Sequence, residues 1–225
     1  MKKKLYYKIT IISLILLFSK SVYALYINSD ISSMDSGEEF FSKPYINDTK
    51  KTNLYAFSAY KIDKPGSSEH GQPIQNGEII FTPLKKILLP GEQEFFKIFY
   101  RGNKDDTERY YKITISETSL EITDDDNKNK KPLFYPTVSL ETYFVVRPLN
   151  PKFTYEFEKQ SGSIRNTGNT YFRVLIHKSC EVDENEVPLV LYLLPKQEFR
   201  NELLKNKSRK YIVIFNKYYS IDNCD

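Results

Sequence analysis

Apolar and polar positions alternate in short runs along most of this chain, and turn residues interrupt the runs. Leu54–Ile62, Glu78–Phe81, Glu94–Tyr100, Arg109–Ser116 and Thr137–Val146 each read as a strand, with a side-chain period of two. Lys64-Pro65-Gly66-Ser67-Ser68 and Pro90-Gly91 between them are turn signals. Thr123–Lys131 is polar and highly charged, without an apolar anchor, and is expected to be a mobile loop. No segment carries a sustained apolar stripe at the 3.6-residue helical period.

A break follows at Pro148-Leu149-Asn150-Pro151, because two closely spaced prolines stop a hydrogen-bonded ladder and stiffen a linker. Beyond it Lys152–Glu158, Tyr171–His177, Val187–Leu194 and Lys210–Phe215 form a second set of strands, and Gly162–Asn169 contains a turn. The spacing predicts an all-β chain of two unequal sandwich domains, 25–148 and 152–225. The 33 tyrosines and phenylalanines favour strands further.

The first 24 residues read differently. A lysine-rich start precedes the apolar run Ile9–Phe18 and then Val22-Tyr23-Ala24, the pattern of a secretory signal cut after Ala24. The run falls short of the roughly 20 apolar residues that span a bilayer, so cleavage is favoured over a retained anchor and no membrane insertion is expected. Removing this segment changes the charge. The whole chain carries +4, but five lysines lie in the first 24 residues, so 28 basic residues then face 29 acidic ones. No net basic field remains to recruit nucleic acid. Export also bears on Cys180 and Cys224, the two cysteines of the chain: in an oxidising compartment such a pair is usually a disulfide rather than two thiols.

The most informative stretch is Phe134–Val146, FYPTVSLETYFVV. Its even positions, Phe134, Pro136, Val138, Leu140, Thr142, Phe144 and Val146, make one nearly apolar face. Its odd positions are polar until Tyr143. Alternation alone fits any half-buried strand. This one, however, follows a long polar loop, ends at the linker, and carries a proline that excludes a fully paired central place.

Several segments together resemble the periplasmic chaperones of the chaperone–usher pathway, the PapD-like superfamily, and within it the common-pilus (α-type) branch. They are Phe81-Thr82-Pro83; Leu88-Leu89-Pro90-Gly91-Glu92-Gln93 with Lys97-Ile98; Asp106–Ile113; Val145-Val146-Arg147-Pro148; Gly162–Thr170 with its Asn166-Thr167-Gly168-Asn169 turn; and Leu193-Leu194-Pro195. The resemblance covers nearly the whole chain after Ala24. It implies two immunoglobulin-like domains in an L, and a periplasmic protein that lends a strand to incomplete pilus subunits and delivers them to an outer-membrane usher. Phe134–Val146 is then the donor strand, with Phe134, Pro136, Val138, Leu140, Thr142 and Phe144 as subunit-binding side chains. Self-association of the free protein would be a second way to cover that strand.

One departure stands out. Family members grip the subunit's terminal carboxylate with a basic pair in the cleft, one residue from the first strand and one from the donor strand. Here Leu25–Met34 has no Lys or Arg, and Tyr143 stands at the donor-strand place. Arg147 and Lys112 are the nearest basic candidates, weighed against being solvated surface charges. His70 and His177 have no nucleophile or ligand companions, Asp124-Asp125-Asp126 lacks the glycine and closing glutamate of a calcium loop, and no glycine-rich phosphate loop is present. Neither a cofactor nor a metal is expected, and no enzymatic activity. Two alternatives remain: a pilus subunit or adhesin, which should carry an alternating N-terminal extension, and a secreted hydrolase on a sandwich.

Overall fold

The computed structural model describes residues 31–222 and Cys224, apart from Ser36, residues 67–70, Gln75 and residues 121–136. The signal segment, His70, the loop at 123–131, Phe134 and Pro136 therefore lie outside the described residues.

The first sandwich is built from β1 (Ile31–Met34), β2 (Phe40–Ile46), β3 (Thr52–Ile62), β4 (Gln72–Pro73), β5 (Ile79–Thr82), β6 (Lys85–Leu88), β7 (Gln93–Tyr100), β8 (Arg109–Leu120) and β9 (Thr137–Val146). One sheet has the order β1-β9-β8-β3-β4, with β6 also paired to β3; the other is β2-β7-β5. Alternation sets what each strand buries. Tyr55 and Phe57 of β3, Phe96 and Ile98 of β7, and Tyr111, Ile113 and Ile115 of β8 meet in one core with Met34, Phe144 and Val146. Phe57 and Phe96 lie 3.8 Å apart between ring centroids.

The second sandwich contains β10 (Tyr155–Glu158), β11 (Ser163–Asn166), β12 (Phe172–Ile176), β13 (Leu189–Leu193), β14 (Glu198–Arg200), β15 (Lys210–Ile214) and β16 (Lys217–Asp222). Sheet β10-β11-β14 packs on sheet β13-β12-β15-β16 around Ile164, Phe172, Val174, Leu191, Leu193, Ile212 and Ile214. The turn after β11 depends on two residues. The Asn166 side chain donates to the carbonyls of Thr170 and Leu193, both at 2.9 Å, and accepts from the Gly168 N–H. A Cβ at Gly168 would stand 2.1 Å from the Lys152 carbonyl oxygen, so only glycine fits there.

The expected strands are all present, with ends shifted by a few residues. The short strands β1, β4, β6, β11, β14 and β16 and the proline-bearing β2 go beyond those expectations. Pro44 in β2 sits opposite Phe95 on a strand with a single partner, β7, where a missing N–H is tolerated. Between β9 and β10 the linker is held down: Leu149 N–H donates to the Asp105 carbonyl (2.7 Å), and Asn150 donates twice to Asp106 Oδ1.

Cys180 and Cys224 are joined in a disulfide that spans 44 residues of sequence and ties the chain after β16 to the chain after β12. Next to it, the fully buried Lys210 ammonium donates to Asp222 Oδ2 (2.9 Å) and to the Asn206 carbonyl. Closing a loop of that length stabilises by ~3–4 kcal/mol in the chain-entropy account. Reducing the bond, or replacing both cysteines by serine, is expected to lower the urea stability of the second domain by that amount. An unchanged unfolding midpoint would show that the second core and the Lys210–Asp222 pair hold β16 without it.

Candidate functional site: the open edge of β9 and the interdomain cleft

Strand β9 has two halves with different surroundings. Along its whole length one edge is paired with β8, from Thr118↔Thr137 to Arg109↔Val146. The other edge is paired only at the end, where β1 runs parallel to it from Ile31↔Tyr143 to Met34↔Val146. Among the described residues nothing pairs with that edge over 137–142. Its N–H and C=O groups are therefore open to another strand.

The faces change at the same point. In the closed half, Phe144 and Val146 turn into the first core, and Phe144 packs its ring 5.4 Å from that of Phe41. Val145 turns the other way, into a cluster shared by both domains. In the open half, Val138 is 64% exposed and Leu140 60%. They stand on the same face as Phe144 and so prolong the ridge of the core past the end of the sandwich. The opposite face is a polar ladder: Thr137 Oγ1 lies 3.1 Å from Thr118 Oγ1, and Glu141 pairs with Lys112 at 3.2 Å. Thr142 is half-buried at the transition and borders the flank of the first sandwich beside Phe41 and Ile115.

These positions amend the expected site in three ways. Phe144 is 1% exposed and belongs to its own domain's core, so it is not a side chain that inserts into a subunit. Burial of its face by β1 and β2 takes it out of reach. Lys112 pairs with Glu141 on the face of β8–β9 that also carries Val145, and is not among the residues that line the cleft. Arg147 is not a solvated charge. It is 6% exposed, and its guanidinium lies 4.3 Å from the Tyr171 ring centroid and 4.8 Å from that of Phe215.

Arg147 helps fix the angle at which the domains meet. Its Nη1 donates to Thr170 Oγ1 (2.5 Å) and to the Tyr171 carbonyl (3.1 Å). The Thr170 hydroxyl passes its own hydrogen to Glu108 Oε2 (2.6 Å), and Glu108 also accepts from the Tyr110 hydroxyl and the Tyr171 N–H. Burial pushes the Glu108 carboxyl up; these donors and Arg147 pull it back. Beside the network, Ile62, Tyr110 and Val145 of the first domain pack on Tyr171 and Leu194 of the second. The motif Val145-Val146-Arg147-Pro148 thus carries the domain joint.

Between the domains lies a cleft of ≈ 500 Å³. One wall is Ile31, Ser33, Asp35 and Glu38; the other includes Arg147, Tyr171, Arg173, Tyr192, Val213 and Phe215. Arg173 was not among the sequence candidates. Only its place on β12 two residues beyond Tyr171, on the outward face, could have drawn attention to it. Among the described residues no cluster of His, Cys, Asp or Glu could hold a metal ion.

Fold and site together define a two-domain β protein that presents an unfinished strand next to a polar cleft. No family model matches the chain. A protein of Escherichia coli O157:H7 described as a probable fimbrial chaperone, EcpE, is 34% identical over 194 residues, covering 85% of this chain and 82% of that protein. A probable fimbrial chaperone of Klebsiella pneumoniae strain 342, EcpB, is 29% identical over 185 residues, covering 80% and 82%. Among solved structures, the periplasmic chaperone SfaE superposes with a TM-score of 0.52 at 10% identity over 85% of this chain and 94% of its own. The E. coli chaperone DraB gives 0.51 at 14% over 89% and 98%. The chain belongs to the fimbrial chaperones, and its fold is the two immunoglobulin-like domains of that family.

Proposed function

We propose that this protein is a periplasmic chaperone that holds pilus subunits by adding residues 137–142 of β9 to a subunit's unfinished sheet, and that it hands them to an outer-membrane usher. A subunit lacking one strand exposes apolar core and unpaired backbone, which aggregates. The half-open edge of β9 carries this reading. It offers six residues of backbone edge unpaired among the described residues, with Val138 and Leu140 standing out on one face. Phe134 and Pro136, on the same face by alternation, are assigned to the subunit groove as well. Side chains of this kind are worth roughly 1.5–3 kcal/mol each when fully buried, enough to retain a subunit in transit while leaving it transferable.

The bounds of the pieces follow the same reading. Residues 1–24 are a signal cleaved after Ala24, the first domain runs to 148, and the second starts at 152. A strand filling the edge at 137–142 lies end to end with β1, and its inner end meets Ile31, which lines the cleft. A subunit strand running parallel to β9 would bring its C-terminus there.

Co-expression with a pilus subunit from the same source tests the function. The subunit is expected to remain soluble and to co-purify one-to-one with this protein, and to aggregate in its absence. A subunit equally soluble alone, with no complex on gel filtration, would end the reading. A pilus subunit in place of a chaperone would itself polymerise, which gel filtration of the isolated protein detects.

A further inference from the structure

We infer that residues 25–30, the segment between the signal cut and β1, cap the open edge of β9 in the free protein and yield it to a subunit strand. This rests on the strand-addition reading and adds the regulation of that same edge. β1 and β9 run parallel in an unbroken register, Ile31↔Tyr143, Ser32↔Phe144, Ser33↔Val145 and Met34↔Val146. Continued backwards, that register sets Asp30 opposite Thr142 and Leu25 opposite Thr137, the first residue of β9. The six residues between the cut and β1 thus match in number the six residues of edge, 137–142, that are unpaired among the described residues. Residues 25–30 lie outside the described residues; the register, length and faces of the edge are what assign them to it.

Pairing of this kind needs no loop to close. β1 already starts the ladder, so each residue before Ile31 extends it within the same chain, at a high effective concentration. The segment reads Leu-Tyr-Ile-Asn-Ser-Asp, with no proline to interrupt a ladder. One observed bond fixes which backbone groups would meet: the Met34 carbonyl accepts from the Arg147 N–H (3.0 Å). Alternate residues of a strand turn their N–H and C=O to the same edge, so Tyr26, Asn28 and Asp30 present theirs to β9, where Thr137, Ser139 and Glu141 present theirs in return. Side chains alternate as well. Met34 lies in the first core, whereas Ile31 and Ser33 line the cleft. By that alternation Tyr26, Asn28 and Asp30 fall on the ridge face, beside Val138, Leu140 and Thr142. Two of the three are polar. The cap therefore satisfies the backbone of the edge without building an apolar cover over Val138 and Leu140. A subunit offers backbone pairing and burial of the ridge together, and so displaces it. Both strands claim the same side of β9, so a bound subunit turns the segment away at Ile31. Until then the cap denies the edge to other copies of the chain, the usual hazard of an open strand.

The test compares the chain from Leu25 with a chain that starts at Ile31, and with Asn28→Pro and Ile27→Pro. Proline at 28 removes an N–H that would face β9; proline at 27 removes one that would face away. Hydrogen exchange, read by mass spectrometry on fragments covering 137–142, is expected to be slow in the chain from Leu25 and in Ile27→Pro. In the other two it should be faster by on the order of tenfold or more. A peptide of the last ten residues of the subunit that co-purifies, titrated by fluorescence anisotropy, should bind the shortened chain and Asn28→Pro about tenfold more tightly, the factor for an edge free in about a tenth of the intact molecules. Fast exchange at 137–142 in the chain from Leu25 overturns the inference. So does protection that persists in the chain from Ile31, whether a second copy supplies it, seen as a dimer on gel filtration, or another segment does. Ile27→Pro as deprotected as Asn28→Pro overturns the register. Peptide binding that stays the same or weakens when 25–30 are removed rejects a displaceable cap. Strand addition fails separately: a peptide that binds none of the four chains sinks that reading, while exchange at 137–142 still reports the cap. Near-identical circular dichroism and thermal unfolding of the four chains exclude a folding defect, and if the shortened chain does not fold, the two proline variants decide.

Discussion

Leu140→Asp is expected to leave this protein folded and to abolish its capture of a subunit. Leu140 is 60% exposed on the open half of β9, so the free protein loses little packing when the side chain becomes polar. The bound state loses much more. Burial of a leucine is worth roughly 1.5–3 kcal/mol, and an aspartate at the same place must shed water or take up a proton inside an apolar groove. Even the lost burial alone corresponds to about 10- to 150-fold weaker binding. The combined change should drop complex recovery in a pull-down below detection, while the melting temperature of the free chaperone stays within about 2 °C of wild type, as for other exposed sites. Val138, at 64% exposure on the same face, should give the same pattern with a smaller amplitude. A Leu140→Asp protein that recovers as much subunit as wild type would remove this ridge from the interface.

Phe144→Ala should do the reverse. Four residues along the same face of the same strand, Phe144 is 1% exposed and packs on Phe41 and Tyr111. Truncating a buried phenylalanine costs about 3–5 kcal/mol, because the surrounding side chains collapse only partly into the cavity. The first domain is expected to unfold at a temperature lower by on the order of 10 °C. At temperatures where it remains folded, binding of a subunit peptide should hold close to the wild-type value, since Phe144 presents no surface to a partner. Urea unfolding and peptide titration on the same sample separate the two readouts. A variant of full stability that failed to bind would return Phe144 to the interface.

The pair of variants states what the tertiary structure decided about this strand. Period-two alternation puts Val138, Leu140, Phe144 and Val146 on one face wherever the strand is placed, because the pleat turns successive side chains to opposite sides. It carries no information on where along the strand a covering layer stops. That limit is set by β1 and β2. Ile31–Met34 closes the edge only as far as Tyr143, and Phe41 covers the face only as far as Phe144. Both are short or interrupted segments without a periodic signal: β1 reads ISSM, and β2 carries Pro44.

The electrostatics of the site depend on the same distinction. Arg147 was visible as a basic residue at the end of a motif, but its partners Thr170, Tyr171 and Phe215 come from elsewhere in the chain and meet it only because the domains dock. Lys112 is legible in the sequence only as a nearby basic residue that could give a carboxylate a charge-assisted donor. Cross-strand pairing puts it opposite Tyr143 and beside Glu141, which takes up its charge. Arg173 passed unnoticed as one polar residue in an alternating strand. Asn47-Asp48-Thr49 matches a glycan-acceptor pattern in sequence, but in the fold the Asn47 amide is buried and donates to the carbonyls of Lys51 and Leu88, so the pattern marks a structural turn.

By itself, the sequence determined the all-β class, the two sandwiches, the paired cysteines and the two-faced pattern of β9. Each of these is a local property: alternation, turn residues, proline spacing and cysteine count act within a few residues or report on the compartment. Tertiary structure alone decided which half of β9 stays uncovered and which cation faces the cleft. Both depend on contacts between segments far apart in the chain, where the end of one strand bounds the exposure of another, and no short-range pattern encodes that.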